Sequence, residues 1–320
     1  MKKISLMILV MIIFGSMGCA GAEEARVPVI GINQFGEHAS LDNCREGVVQ
    51  GLLDAGLTEG EDFTLDYQNA GFDTGIATQI AQNFSANQVA LMVAIATPSA
   101  TASYAAAEDK DIPVVFTAIT DPVEAKLDQG NVTGTSDKLP VEAQLDLIRQ
   151  MQPEADTIGI LYTTSEPNSV SAIAEYQLHA GAYGFSIEAI GVTQQSEVTL
   201  AADSLISKGV DCFSNLTDNN VVGVLSSVLE KTDAAGIPVY GSEVEQVKLG
   251  AVAAAGIDYF ELGRQTGSMV ARILLGEATA DEIPYETISE YGIYYHSDAL
   301  ARMGLVLPEE LLAKAIDVAE

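Results

Sequence analysis

Nearly continuous apolar runs alternate along this chain with stretches of helical periodicity. In the segment from Val89 to Asp121, residues 89–96 read as a strand and 97–99 as a polar corner; a short helix follows, then a second apolar strand at 113–118. A further polar corner comes at Thr120 and Asp121. Strands that are apolar throughout suit a parallel sheet covered on both faces. The unit recurs at 210–243, where strand, polar corner (217–219), helix and strand follow in the same order, and Ile237-Pro238-Val239 matches Ile112-Pro113-Val114. The recurrence is architectural, since the corner-to-strand spacing differs. It predicts two α/β lobes facing each other across a cleft; the competing arrangement is one large doubly wound sheet with no cleft.

The rest of the chain keeps the alternation. Strands are predicted at 28–33, 63–68, 157–162 and 186–192, and helices at 41–55, 73–86, 140–151, 170–181, 196–208 and 259–275. Ser40 and Asp73 or Thr74 are expected caps, Gly56 a stop, and Pro140 a helix start. The polar stretch 131–137 is expected to leave the first lobe, and the small apolar stretch 250–255 to cross back. A last strand at 290–295 and a helix at 308–318 complete the reading. The fold class is therefore α/β, two Rossmann-like lobes with parallel sheets.

The N-terminus departs from this pattern. Lys2 and Lys3 precede an apolar run at 4–14, followed by Gly15-Ser16-Met17-Gly18-Cys19. That is a secretory signal, and its run is too short for an ordinary membrane span. Cys19 after Gly18 resembles the lipid-attachment cysteine of bacterial lipoproteins, with Ser16 where Leu is usual; the alternative is a plain signal peptide with a coincidental cysteine. The expected organisation is signal peptide 1–18, lipid-linked tether 19–27, N-terminal lobe 28–134 plus 251–289, and C-terminal lobe 135–250 plus 290–320. Removing the signal takes away two lysines and no acid, so the net charge moves from −30 to −32. Such a surface disfavours nucleic acid and anionic membrane as partners. Beyond Cys19 the cysteines are Cys44 and Cys212. They are open to two readings: a disulfide tying the lobes, or two small buried hydrophobes. No spacing suggests a metal, and no cofactor is expected.

In open parallel sheets ligands bind beyond the carboxyl ends of the strands. The first half places Gln34, Phe35, Glu37, Thr97, Ser99, Thr120 and Asp121 there; the second places Tyr162, Ser165, Glu166, Asn168, Ser169, Asp218, Asn219 and Glu243. The set has hydroxyls, amides and carboxylates but no Lys or Arg. Helix starts near Ser99, Ser169 and Asn219 would favour an anion, the carboxylates would suit an ammonium group, and a zwitterion meets both needs. Phe35, Tyr162 or Tyr240 could pack on an apolar side chain. Taken singly, Asp218 and Ser169 read as helix caps. Catalysis has little support: His38 has no nucleophile partner, His179 reads as structural, and no nucleophile elbow or phosphate loop occurs.

The pieces ATPSATA, FTAITDPVEA, NVTGTSD, LYTTSEPNS, LTDNNVV and GIDYFELGRQTGSMVARILLGE together resemble the TrpX-like family of ABC-transporter substrate-binding proteins, over about residues 27–315. The resemblance implies a type I periplasmic-binding-protein fold with three crossovers. It also implies a monomeric, lipid-anchored, extracytoplasmic receptor that binds an amino acid and feeds an ABC permease with its ATPase. Its ligand positions correspond to Thr97, Ser99, Thr120 and Asp121 in the first lobe, and to Ser165, Glu166, Asn168, Ser169, Asp218, Asn219 and Glu243 in the second. The commoner TPAAQ reads TPSAT here, and the first loop reads NQFGEHAS. The implied ligand is an amino acid with an aromatic or apolar side chain, bound without covalent change. The rivals are a sugar or nucleoside receptor, a sensory ectodomain working through a membrane partner, and an extracytoplasmic enzyme.

Overall fold

The computed structural model describes residues 27–288 and 291–319. The expected signal, tether and Cys19 up to residue 26 lie outside them. The first lobe opens with β1 (Val29–Gln34), α1 (Ala39–Asp54), β2 (Thr64–Asn69), α2 (Thr74–Asn87), β3 (Leu91–Ile95), α3 (Thr97–Ala107), β4 (Val114–Ile119) and β5 (Val132–Ser136). Every residue of β3 and β4 is buried, as their unbroken apolar runs require. Asp73 caps α2 by accepting from the backbone N–H groups of Gly75 and Ile76. Ser40 does not cap α1; the position belongs to His38, and Ser40 lies in the first turn.

The second lobe continues with α4 (Val141–Met151), β6 (Thr157–Thr163), α5 (Pro167–His179), β7 (Ser186–Val192), α6 (Val198–Lys208), β8 (Cys212–Ser214), α7 (Asn219–Val222), α8 (Leu225–Ala235), β9 (Val239–Tyr240), α9 (Val244–Lys248) and β10 (Ala253–Gly256). The chain then returns to the first lobe with α10 (Tyr259–Leu274) and β11 (Glu286–Thr287). It ends in the second with β12 (Gly292–Tyr295), α11 (Ser297–Met303), α12 (Glu309–Leu312) and β13 (Ala315–Asp317). The helix expected at 308–318 is only one turn, because residues 315–317 pair with β12 instead.

Two separate parallel sheets result, not one. The first has the order β11-β5-β4-β3-β1-β2 and the second β7-β6-β8-β9; β10, β12 and β13 form a third, small sheet. The direction of winding reverses between β1 and β3 in the first sheet and between β6 and β8 in the second. These are the switch points where parallel sheets hold ligands.

Three crossings join the lobes, and two fall later than expected. Residues 132–136 are a strand of the first sheet, so the chain leaves after Ser136, and Leu139 already packs in the second core. Val252, Ala253 and Ala255 also pack in that core, and β10 pairs with β12. The return therefore comes at Gly256–Ile257, with Ile257 and Tyr259 in the first core. The third crossing lies between Ile288, packed on the first core, and β12. Cys44 and Cys212 are free and buried in different cores, so no disulfide between these two ties the lobes.

Candidate functional site

The loops after β1 and β4 in the first lobe meet those after β6, β8 and β9 in the second, around an enclosed cavity. From the first lobe and its crossings come His38, Ser40, Asp137 and Tyr259, with Leu41 and Ala118 as apolar wall. From the second come Asn168, Thr217, Asn219, Glu243 and Gln246, with Val222. The lobes touch here directly. Ser40 donates to Glu243 at 3.0 Å, Asn43 to Glu245 at 2.6 Å, and the Thr120 and Thr217 hydroxyls lie 3.3 Å apart. The enclosed space is about 10 Å³, room for about one water. Anything the size of an amino acid requires the walls to part. A larger hollow of about 680 Å³ lies beside Asp54 and Arg264, whose side chains pair across it. Only the end of the edge strand β11 reaches it, at Thr287 and Ile288, and neither sheet's switch point does, so the chemistry favours the small cavity.

Two carboxylates line the cavity and no Lys or Arg does. Asp137 accepts from the Thr120 hydroxyl at 3.0 Å and from the Tyr259 hydroxyl, and burial lifts its pKa despite these bonds. Glu243 caps α9 through the N–H groups of Glu245 and Gln246; burial first, then neighbouring Glu245, raises it well above the usual carboxylate range. Ala118 has a positive φ of 58° beside the irregularity in the β4–β5 pairing, and its single methyl keeps that wall low.

Of the fifteen strand-end positions expected from the sequence, Asn168, Asn219 and Glu243 line the cavity, while Glu37 is exposed and lines none of the pockets described. Phe35, Ser165 and Glu166 line a more open pocket of about 220 Å³ next to it, with Phe72, Gln194 and Asn220. Thr120 and Asp121 bridge the lobes, Asp121 through the Ser171 hydroxyl at 3.4 Å. Thr97 is buried with its hydroxyl unpartnered, but is not part of the cavity wall. The others are committed elsewhere. Gln34 bonds Gly36 O and Asp42 and accepts from Arg45; Ser99 donates to Asn33; Tyr162 packs over Gly191. Ser169 donates to Asp218, which also accepts from the Thr163 hydroxyl and caps α7 through Val221 N–H. The anion site expected at Asn219 is thus already occupied by a side chain, and Ser169 serves that cap.

Glu166 organises the second-lobe wall. Its two oxygens accept from the side-chain amides of Asn168 (3.0 Å), Asn219 (2.7 Å) and Asn220 (3.0 Å) and from Asn219 N–H (3.2 Å). Burial, and then the charge of Asp218, raise its pKa to about 7. Asn168 spends its amide hydrogens on Glu166 and on Thr217 O, which leaves its Oδ1 buried and unpaired.

Sequence reasoning missed His38, Ser40, Asp137, Thr217, Gln246 and Tyr259. His38 had one readable signal, its place between a strand end and a helix start. Asp137 ends the polar stretch 131–137, and Thr217 opens the predicted second corner, so position in the pattern pointed to both.

Two lobes of parallel sheet, crossed three times and meeting at their switch points, define a type I periplasmic-binding-protein fold. A family model described as ABC transporter substrate binding protein matches residues 29–319, and the chain belongs to that family. Its members bind rather than transform their substrates and work outside the cytoplasm. A relative named tyrosine-binding protein, from Clostridioides difficile (strain R20291), is 37% identical over 282 residues, covering 86% of this chain and 81% of the relative. The solved structure of a Streptococcus pneumoniae ABC domain in complex with L-Trp is 30% identical, with a TM-score of 0.86 over 90% of this chain and 99% of that one. The ligand-free, open structure of a Clostridium difficile substrate-binding protein with adhesive properties is 35% identical. It gives a TM-score of 0.67 over 91% of this chain and 99% of that one. Higher identity with poorer overlap points to a different setting of the lobes, shut here as the narrow cavity is.

Proposed function

We propose that this protein is a lipid-anchored receptor that closes its lobes around an amino acid with an aromatic or apolar side chain and delivers it to an ABC permease with its ATPase. The observation that carries the reading is the cavity wall: two carboxylates, three side-chain amides and no cation, suited to an ammonium group. The side-chain class is supported by the relative named for tyrosine and by the L-Trp complex. Phe35 and Phe72, edge to face with ring centres 6.0 Å apart in the adjoining pocket, offer an apolar surface for such a side chain. The anchor would be a lipid on Cys19, left as the first residue once 1–18 are removed, with the monomeric binding body beginning near residue 28.

Binding is stabilised by contacts to both lobes at once, so the ligand favours the shut arrangement. Titration calorimetry with the twenty amino acids, then sugars and nucleosides, tests the reading. Micromolar or tighter binding of tyrosine, tryptophan or phenylalanine is expected. A response to sugars or nucleosides alone would overturn it.

A further inference from the structure

The amino-acid reading leaves open which part of the cavity holds which end of the ligand, and the inference here rests on that reading. α1 is sixteen residues long and starts at the switch point of the first sheet. Its first backbone bond runs from Asp42 N–H to His38 O, and no side chain caps its first turn. The N–H groups of Ala39, Ser40 and Leu41 are therefore left over at the positive end of the helix. Ser40 and Leu41 face the cavity.

His38, the residue before the helix, lines the same cavity. Both of its ring nitrogens are sealed from solvent and neither has a partner. Asn219 is its polar neighbour and works against the lowering of its pKa, but no well-formed hydrogen bond joins the two. Burial lowers its pKa to about 4, so the ring is neutral at pH 7 and holds one N–H donor and one lone pair. Phe72 lies parallel to it (8°, centres 6.3 Å apart). Phe72 in turn adopts a positive φ of 65° and packs flush on Gly36, where a Cβ would come within 2.0 Å of the ring. A buried donor held rigidly and left unused is costly unless something bonds it.

The opposite wall suits the other end of a zwitterion. Asn168 has spent its hydrogens, so its free Oδ1 can only accept. It would repel a carboxylate and welcome an ammonium. We infer that the ligand's α-carboxylate sits on the N-terminus of α1, taking a hydrogen bond from His38 and from the free first-turn N–H groups, while its ammonium turns toward Asn168 Oδ1. Phe72 is a positioning residue that acts through His38.

The test compares each amino acid with its carboxylate-free amine: L-tyrosine with tyramine, and L-tryptophan with tryptamine, by calorimetry on the mature chain. In the unsubstituted protein the amine is expected to bind at least 100-fold more weakly. In His38→Ala the amino acid should lose about 30-fold and the amine less than 3-fold, so the gap shrinks about tenfold. His38→Gln, which keeps a donor, should restore part of the gap and decides the matter should the alanine variant not fold. Phe72→Leu should narrow the gap less, and add nothing in combination with His38→Ala. A gap of unchanged width in His38→Ala, or one that narrows in Thr97→Ala instead, overturns the inference while leaving amino-acid binding intact. Failure of the unsubstituted protein to bind either amino acid overturns the functional reading and this inference with it.

Discussion

Glu166 shows how far a single side chain can depart from its expected role. It stood among the ligand positions because it follows a strand, yet both its oxygens are occupied by asparagine amides. Its pKa of about 7, against an ordinary 4.5, carries a sign that can be checked. Between those two values the folded protein holds a proton that the unfolded chain has released. The stabilisation is complete below about pH 4.5 and is lost as pH rises through 7. Buried Asp137 and Glu243 shift in the same direction and add to the trend. Thermal melts across pH 4.5–7 should therefore show a falling Tm, and Glu166→Gln should flatten the slope by up to one proton's worth. An equal slope in the variant would place the titrating proton on another group. At this scale the sequence was legible where one residue suffices, as at the Asp73 and Asp218 caps. It was silent where the role depends on a neighbour distant in the chain. Ser169 could not be told from a cap without Asp218, nor His38 from a surface histidine without Phe72.

Two helices set the positions of these groups. α1 presents His38 and Ser40, and α10 begins at Tyr259, which bonds Asp137. They are held against each other by glycines four apart, hence on one face of each helix. A Cβ on Gly47 would lie 2.1 Å from Phe260 O, and one on Gly51 2.3 Å from Arg264 O. From the other side, one on Gly263 would lie 1.9 Å from Cys44 O, and one on Gly267 2.2 Å from Val48 O. The obstacle each time is backbone, which cannot swing aside. Gly263→Ala should therefore cost roughly 3 kcal/mol, at the upper end of the overpacking range. It would be read as a lower urea midpoint at unchanged m-value. A loss below about 0.5 kcal/mol would mean that the helices have room to separate. The extents of both helices were readable from apolar periodicity, although Ser40, the cap expected for α1, does not cap it. The seam was not, because a four-residue glycine spacing has meaning only once the partner helix is known. The stretches 131–137 and 250–255 were misjudged for a related reason. NVTGTSD is too polar and GAVAAA too small to read as the apolar run of a buried strand, yet pairing within their sheets makes strands of 132–136 and 253–256.

For the molecule as a whole, the duplicated strand–corner–helix–strand unit announced two opposed lobes, and the corners do converge. Their separation was beyond sequence reading, because it depends on the balance between direct lobe contacts and ligand contacts. The shut arrangement has a consequence that can be tested. With about 10 Å³ enclosed, no amino acid enters unless the lobes part. Thr120 and Thr217 face each other across the cleft with hydroxyls 3.3 Å apart, close enough for a disulfide between cysteines at those positions. The native Cys44 and Cys212 are buried in separate cores and should not interfere. In the variant carrying Thr120→Cys and Thr217→Cys, oxidation before ligand is added should shut the protein empty and abolish the calorimetric signal. Oxidation in the presence of ligand should trap it through gel filtration, and a reductant should reverse both effects. Each single variant should bind the same with or without oxidant. A cross-linked protein that still binds with unchanged Kd would mean that entry needs no opening. The ligand would then have to sit outside the cavity where the two sheets' switch points meet.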